Sequence, residues 1–138
     1  MEIFRIEDFS FTYPGEEKPA LSHISMSVDA GTFTVLCGSS GCGKTTLLRS
    51  MKSQIAPKGE RRGEIDSLPA ADIGFVFQNP DNQIVTDTVR HELAFGMENL
   101  GLPSPQIRQR AAETALFLGI DGWMDRSVYQ LSGGEKQL

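Results

Sequence analysis

The chain has 138 residues, 39% hydrophobic and 22% charged, with a net charge of −5. That is the size and balance of one globular domain. The acidic balance gives no push toward nucleic acid or an anionic membrane surface, no apolar run nears the ~18 residues a membrane span needs, and the first residues do not read as a basic-then-apolar signal peptide.

In chain order, Ile3, Phe4, Ile6, Phe9, Phe11 and Tyr13 alternate well enough to predict a strand over Glu2 to Tyr13, with Asp8 and Ser10 on its wet face. Pro14-Gly15 predicts a turn, and Ile24, Met26 and Val28 a second strand. The apolar run Thr32 to Cys37 suits a strand buried on both faces of a parallel sheet. Lys44 to Gln54 reads as a helix with Leu47, Leu48 and Met51 on one face. Pro57 to Gly63 reads as a loop carrying Lys58, Arg61 and Arg62 in solvent, Glu64-Ile65 as a strand stub, and Ile73 to Phe77 as a further buried strand broken by Asn79 to Asn82. Thr88 to Asn99 predicts a helix. Another is predicted with Ser104 as N-cap and Pro105 at its first position, burying Ile107, Ala111, Ala115 and Leu118 and stopped by Gly119. Met124 to Leu131 reads as a connector, and Ser132 to Glu135 as the start of a helix. Cys37 and Cys42 read as free thiols in a reducing compartment, because a disulfide between them would distort the intervening loop. His23 and His91 read as surface or half-buried histidines, and Trp123 and Met124 as packing residues.

Two motifs carry chemistry. In Gly38-Ser39-Ser40-Gly41-Cys42-Gly43-Lys44-Thr45, glycines at 38, 41 and 43 allow positive φ and close approach of backbone to phosphate. Successive N–H groups at a helix start favour an anion, the Lys44 ammonium reaches β- and γ-phosphates, and the Thr45 hydroxyl can ligate Mg²⁺. The second motif is Leu131 to Gln137, LSGGEKQ, in which Ser132 and two bare glycine N–H groups at a helix start can meet a terminal phosphate.

The order of phosphate loop, Gln78 after an apolar run, and LSGGEKQ resembles the ATP-binding subunits of ABC transporters. FVFQNPDNQIV followed by ELAFGMENLGLP resembles, more narrowly, the ATPases of energy-coupling-factor importers of cobalt and vitamins. The resemblance implies an α/β fold of the P-loop NTPase type: an incomplete core sheet, N-terminal antiparallel strands, and a helical subdomain. The β-subdomain and phosphate-loop core would occupy 1–78, and the helical part 79–138. It implies ATP and Mg²⁺ as cofactors, with Gly38 to Thr46 around the phosphates, Tyr13 stacked on adenine, Thr45 and Gln78 toward the metal, and Lys44 and Gln78 as the catalytic pair. Ser132, Gly133, Gly134 and Glu135 would contact the γ-phosphate held by a second ATPase subunit, identical or different. Asn79 to Gln83 would receive a transmembrane subunit at the cytoplasmic face of the membrane, with no nucleic-acid partner. A soluble ABC ATPase outside transport and an inactive nucleotide-binding fragment are the alternatives. In the family the Mg²⁺-binding aspartate, the catalytic glutamate and the switch histidine follow the signature, beyond Leu138. The expectation is therefore a truncated domain that does not hydrolyse ATP efficiently by itself, with an apolar strand edge left open. The short Lys44-to-Gln78 spacing points to a trimmed β-subdomain, and Cys42 at the helix start to thiol-sensitive nucleotide binding.

Overall fold

The computed structural model describes residues 1–69 and 73–138; Ala70 to Asp72 lie outside the described residues. It divides into two compact units, Met1–Gly74 and Phe75–Leu138. The division falls N-terminal to the boundary expected after Gln78. The side-chain amide of Gln83 gives the reason: it donates to the Phe75 carbonyl at 3.0 Å and accepts from the Phe77 N–H at 3.0 Å, which ties 75–77 to the turn at Pro80–Asn82.

The first unit is built on a three-stranded antiparallel sheet of order β2-β1-β3, where β1 is Glu2–Thr12, β2 Leu21–Asp29 and β3 Glu60–Ser67. Pro14 and Gly15 (φ 82) form the turn after β1, closed by the Glu16 N–H on the Tyr13 carbonyl at 3.1 Å. Ile6, Phe9, Phe11 and Leu21 are buried on one sheet face together with Leu47 from helix α1 (Lys44–Ser50). Met51, Ile24, Met26 and Ile65 pack around them.

The spacing from Ile6 to Phe9 breaks strict alternation, and the structure shows why. Asp8 sits at φ 47, a bulge that returns Phe9 to the core face, and both β1 ladders shift register across it. The irregularity crosses the whole sheet. On β2, His23 has φ 51, with its N–H on the Ser10 Oγ at 2.9 Å and its Nδ1 2.6 Å from the Asp8 carboxylate. On β3, Gly63 has φ 78, and a Cβ there would stand 2.3 Å from the Asp8 carbonyl oxygen. Only glycine meets both demands.

The second unit pairs α2 (Val89–Asn99) with α3 (Ser104–Leu118). Val89, Ala115, Ile120 and Val128 form its core, with Leu93, Leu118, Trp123, Met124 and Leu131 packed against it. Both helices end on a left-handed glycine. The Leu102 and Gly101 N–H groups bond back to Met97 and Glu98, and those of Ile120 and Gly119 to Ala115 and Leu116, so each helix ends in a Schellman motif. Among the described residues, no helix is long and apolar enough to cross a membrane.

Several expectations are corrected. Residues 32–37 and 73–77 are not strands: Phe33 is 93% and Val76 79% exposed, and Cys37 is exposed rather than buried. A parallel strand exists only with ladder partners, and among the described residues no strand pairs with either segment. The expected loop up to Gly63 and the stub at 64–65 are instead one strand, β3. The free edge of β1 recruits it in register from Thr12↔Glu60 to Phe4↔Ser67. Within β3, Arg61 donates to the Pro57 carbonyl, and Arg62, in solvent as expected, pairs with the Glu60 carboxylate. Helix α1 ends at Ser50, short of Gln54, and Leu48 is 46% exposed. Ser104 is the first residue of α3 rather than a side-chain cap.

Gly63→Ala is expected to destabilise the chain by about 2–3 kcal/mol in urea unfolding, because it adds both an overlap and a disfavoured φ. Gly15→Ala, also at positive φ but with nothing near its Cβ, is expected to cost only about 1 kcal/mol.

Candidate functional site

The phosphate loop is held by what lies behind it. Leu47 anchors α1 to the sheet, and Gly43, at φ 96 and ψ 1, immediately precedes the helix. A Cβ at Gly43 would lie 2.7 Å from the Ala20 carbonyl oxygen, so the helix start presses on the chain entering β2. Gly41 also has positive φ, at 80. Gly38 does not; its lack of a Cβ makes room for the Cys42 Sγ, which a Cβ would approach to 2.7 Å. No side chain caps the start of α1, and residues 38–42 are exposed. The first N–H groups of a helix have no partner within it. Here no side chain takes them at the positive end of the helix dipole, an arrangement suited to an anion.

Lys44 folds over this loop. Its ammonium donates to the Gly38 carbonyl at 2.8 Å and the Ser39 carbonyl at 2.7 Å, and contacts the Cys42 Sγ at 3.6 Å. All three ammonium protons are thereby engaged, and the sulfur contact is the weakest of them. Thr45 is exposed beside it and has no side-chain partner among the described residues. A lone hydroxyl fits Mg²⁺, which takes most of its ligands from phosphate and water at such sites. Thr46 is buried, and its hydroxyl lies 3.0 Å from the Tyr13 hydroxyl. That bond, with an edge-on contact to Phe11 at 4.8 Å, fixes the half-exposed Tyr13 ring beside the start of α1. The structure therefore brings Tyr13 and Gly38 to Thr46 together. Both cysteines are free.

Gln78 and the signature belong to the second unit. Gln78 is exposed, between the Phe77 held by Gln83 and the turn Pro80–Asn82. At the signature, the expected helix start is a single 3-10 turn, Glu135–Gln137, organised by a capping box. The Ser132 Oγ accepts from the Glu135 N–H at 3.3 Å, and the Glu135 carboxylate accepts from the Ser132 N–H at 2.7 Å. Glu135 also takes the Arg126 guanidinium at 3.3 Å, which lies over the Trp123 ring at 5.2 Å.

The connector before the signature is not slack. Its Met124 and Arg126 carbonyls accept the Arg90 and Val89 N–H groups at the start of α2, and the Val128 N–H bonds to the Asp87 carbonyl. The sequence pattern missed this bracing, since a connector shows no periodicity. The capping spacing Ser132-x-x-Glu135 was the signal that could have found the turn. His23 and His91 are exposed and paired with Asp8 and Asp87, and the hydrogen bond from His91 holds the Asp87 carboxyl below its ordinary range.

Hydrogen bonds from the Ser132 backbone and hydroxyl, followed by Arg126, hold the Glu135 carboxyl below the ordinary glutamate value of 4.5. A depressed carboxylate stabilises the turn fully above its unfolded pKa, and that contribution is lost as pH falls through the folded one. The Ser132 amide resonance should therefore titrate with a midpoint below 4.5; a midpoint at or above that value contradicts the capping geometry.

The family model described as ABC transporter matches residues 21–138. A putative ABC transporter ATP-binding protein of Bacillus cereus is 49% identical over 96% of this chain and 26% of its own length. The cobalt import ATP-binding protein CbiO of Syntrophus aciditrophicus is 36% identical over 99% of this chain and 52% of its own. Among solved structures, cbiO1 from Clostridium perfringens, part of the ABC transporter complex cbiONQ, superimposes with a TM-score of 0.83 at 30% identity, over 99% of this chain and 58% of that one. The chain thus spans between a quarter and about half of the relatives it matches. With its phosphate loop, its signature turn and a family match over most of its length, the chain belongs to the ABC transporter ATP-binding family.

Proposed function

We propose that this chain is the nucleotide-binding part of an ABC-type ATPase subunit that couples ATP hydrolysis to membrane import of a metal ion or vitamin. The observation that carries the nucleotide reading is the uncapped start of α1, open to solvent with the Lys44 ammonium folded over it. The bound triphosphate supplies the phosphoryl group and brings Mg²⁺ with it. The residues of this chain do the rest. The loop N–H groups take phosphate oxygens. Lys44 releases its long contact to the Cys42 sulfur and turns that proton toward the anion. Thr45 offers its hydroxyl to the metal, and Tyr13, pinned through Thr46, offers its ring face to adenine.

The Ser132-Gly133-Gly134 turn would present its hydroxyl and N–H groups to the γ-phosphate held by a second, head-to-tail subunit. Its capping box supports that reading because it holds the Ser132-Gly133-Gly134 backbone in one fixed turn. The segment Asn79 to Gln83 would receive the membrane subunit, with this chain peripheral to the membrane. The NPDNQ stretch and the relative named for cobalt import support the importer branch.

Titration with a fluorescent ATP analogue and Mg²⁺ tests the core of this reading. Lys44→Ala should weaken binding at least about tenfold, as expected for loss of a charge-assisted contact. Tyr13→Ala should cost about 1–3 kcal/mol, the usual worth of base stacking on an aromatic ring. Equal affinity in wild type and Lys44→Ala would refute the assignment. Alkylation of Cys42 by iodoacetamide should weaken binding, because its sulfur lies beside Gly38 and touches the Lys44 ammonium at 3.6 Å. Unchanged binding after confirmed modification of Cys42 would remove that claim.

A further inference from the structure

We propose that Asp81 is a positioning residue: through Lys136 it holds the signature turn in register with the segment that carries Gln78. The role rests on the reading that this turn meets a phosphate. The Lys136 ammonium lies 2.6 Å from the Asp81 carboxylate, across 55 residues of sequence. Lys136 is the more enclosed partner, its side chain 16% exposed against 63% for Asp81. Most of the Lys136 stem is covered, and its ammonium reaches the surface against the Asp81 carboxylate.

Each end of the pair is fixed to a motif. On one side, the Lys136 N–H donates to the Ser132 carbonyl at 3.0 Å, so the lysine backbone belongs to the capped turn. Arg126 is engaged with Glu135 instead. On the other side, the Asp81 N–H donates to the Asn79 side chain at 3.0 Å, and the Gln83 and Ile84 N–H groups donate to the Pro80 carbonyl. Gln83 then clamps Phe75 and Phe77, so Gln78 sits in a loop tied down at both ends. A displacement of Asn79 to Gln83 is thereby transmitted to Ser132 through one ion pair, and the signature N–H groups are aimed by a residue that touches no nucleotide.

The test uses the full 138-residue chain with Asp81→Lys, Lys136→Asp, the double reversal, and Asp81→Glu. Fast amide-exchange NMR reads the Ser132, Gly133, Gly134 and Lys136 amides, with Gln78 as distant reporter and the α3 amides as folding control. Each single reversal should speed exchange at Ser132 and Lys136 about two- to fivefold, the range a solvent-accessible ion pair supports, and shift the Gln78 resonance. Asp81→Glu and the double reversal should restore both signals. Unchanged signature amides in Asp81→Lys would overturn the proposal, as would a double reversal no better than the singles. Equal acceleration at α3 would also overturn it, because the pair would then contribute only to stability. No readout involves ATP, so a failure here is separable from failure of the nucleotide reading, which the Lys44→Ala titration reports.

Discussion

A helix start leaves backbone N–H groups that nothing inside the helix can satisfy, and three starts in this chain answer that constraint in different ways. At α2 the donors are taken by the Thr88 side chain and by carbonyls of the connector. At the signature turn the Ser132 and Glu135 side chains exchange bonds. At α1 no side chain closes the end. The first two arrangements use the donors to hold structure together, and the third leaves them available to an anion. The same rule thus produces a brace, a cap and a cradle.

The cradle depends on the sheet behind it. Leu47 enters a core made by Ile6, Phe9, Phe11 and Leu21, and the hydroxyl pair of Tyr13 and Thr46 couples the end of β1 to the first turn of α1. The core itself depends on the bulge at Asp8, which brings Phe9 onto the same face as Ile6. Phe11 is fully buried, and truncating a residue of that kind ordinarily costs about 3–5 kcal/mol. The aromatic that faces solvent and the loop that faces phosphate are thus positioned by one apolar cluster.

The strand errors have a common cause. Thr32 to Cys37 and Ile73 to Phe77 have the composition of buried parallel strands, yet a strand is a property of a pair. Among the described residues neither finds a partner, so both remain irregular and expose Phe33 and Val76. The reverse error occurred at Glu60 to Gly63. Its charged residues gave no strand signal, but the open edge of β1 imposed one, and Ile65 is the one side chain of β3 packed into the core. Composition reports what a segment could bury, and pairing decides what it becomes.

The sequence by itself determined the phosphate loop, the signature, the first two strands, the two long helices and their burial stripe of Ile107, Ala111 and Ala115. These are local properties: glycine and cap positions, and hydrophobic period. It also carried the family resemblance, because that rests on motif order. The tertiary structure alone decided that Gly38 accommodates a sulfur rather than a positive φ, that Lys44 rests on loop carbonyls, that Tyr13 is pinned by Thr46, and that Asp81 reaches Lys136. Each of these is a contact between residues whose approach is set by how the chain packs, which no window of sequence contains.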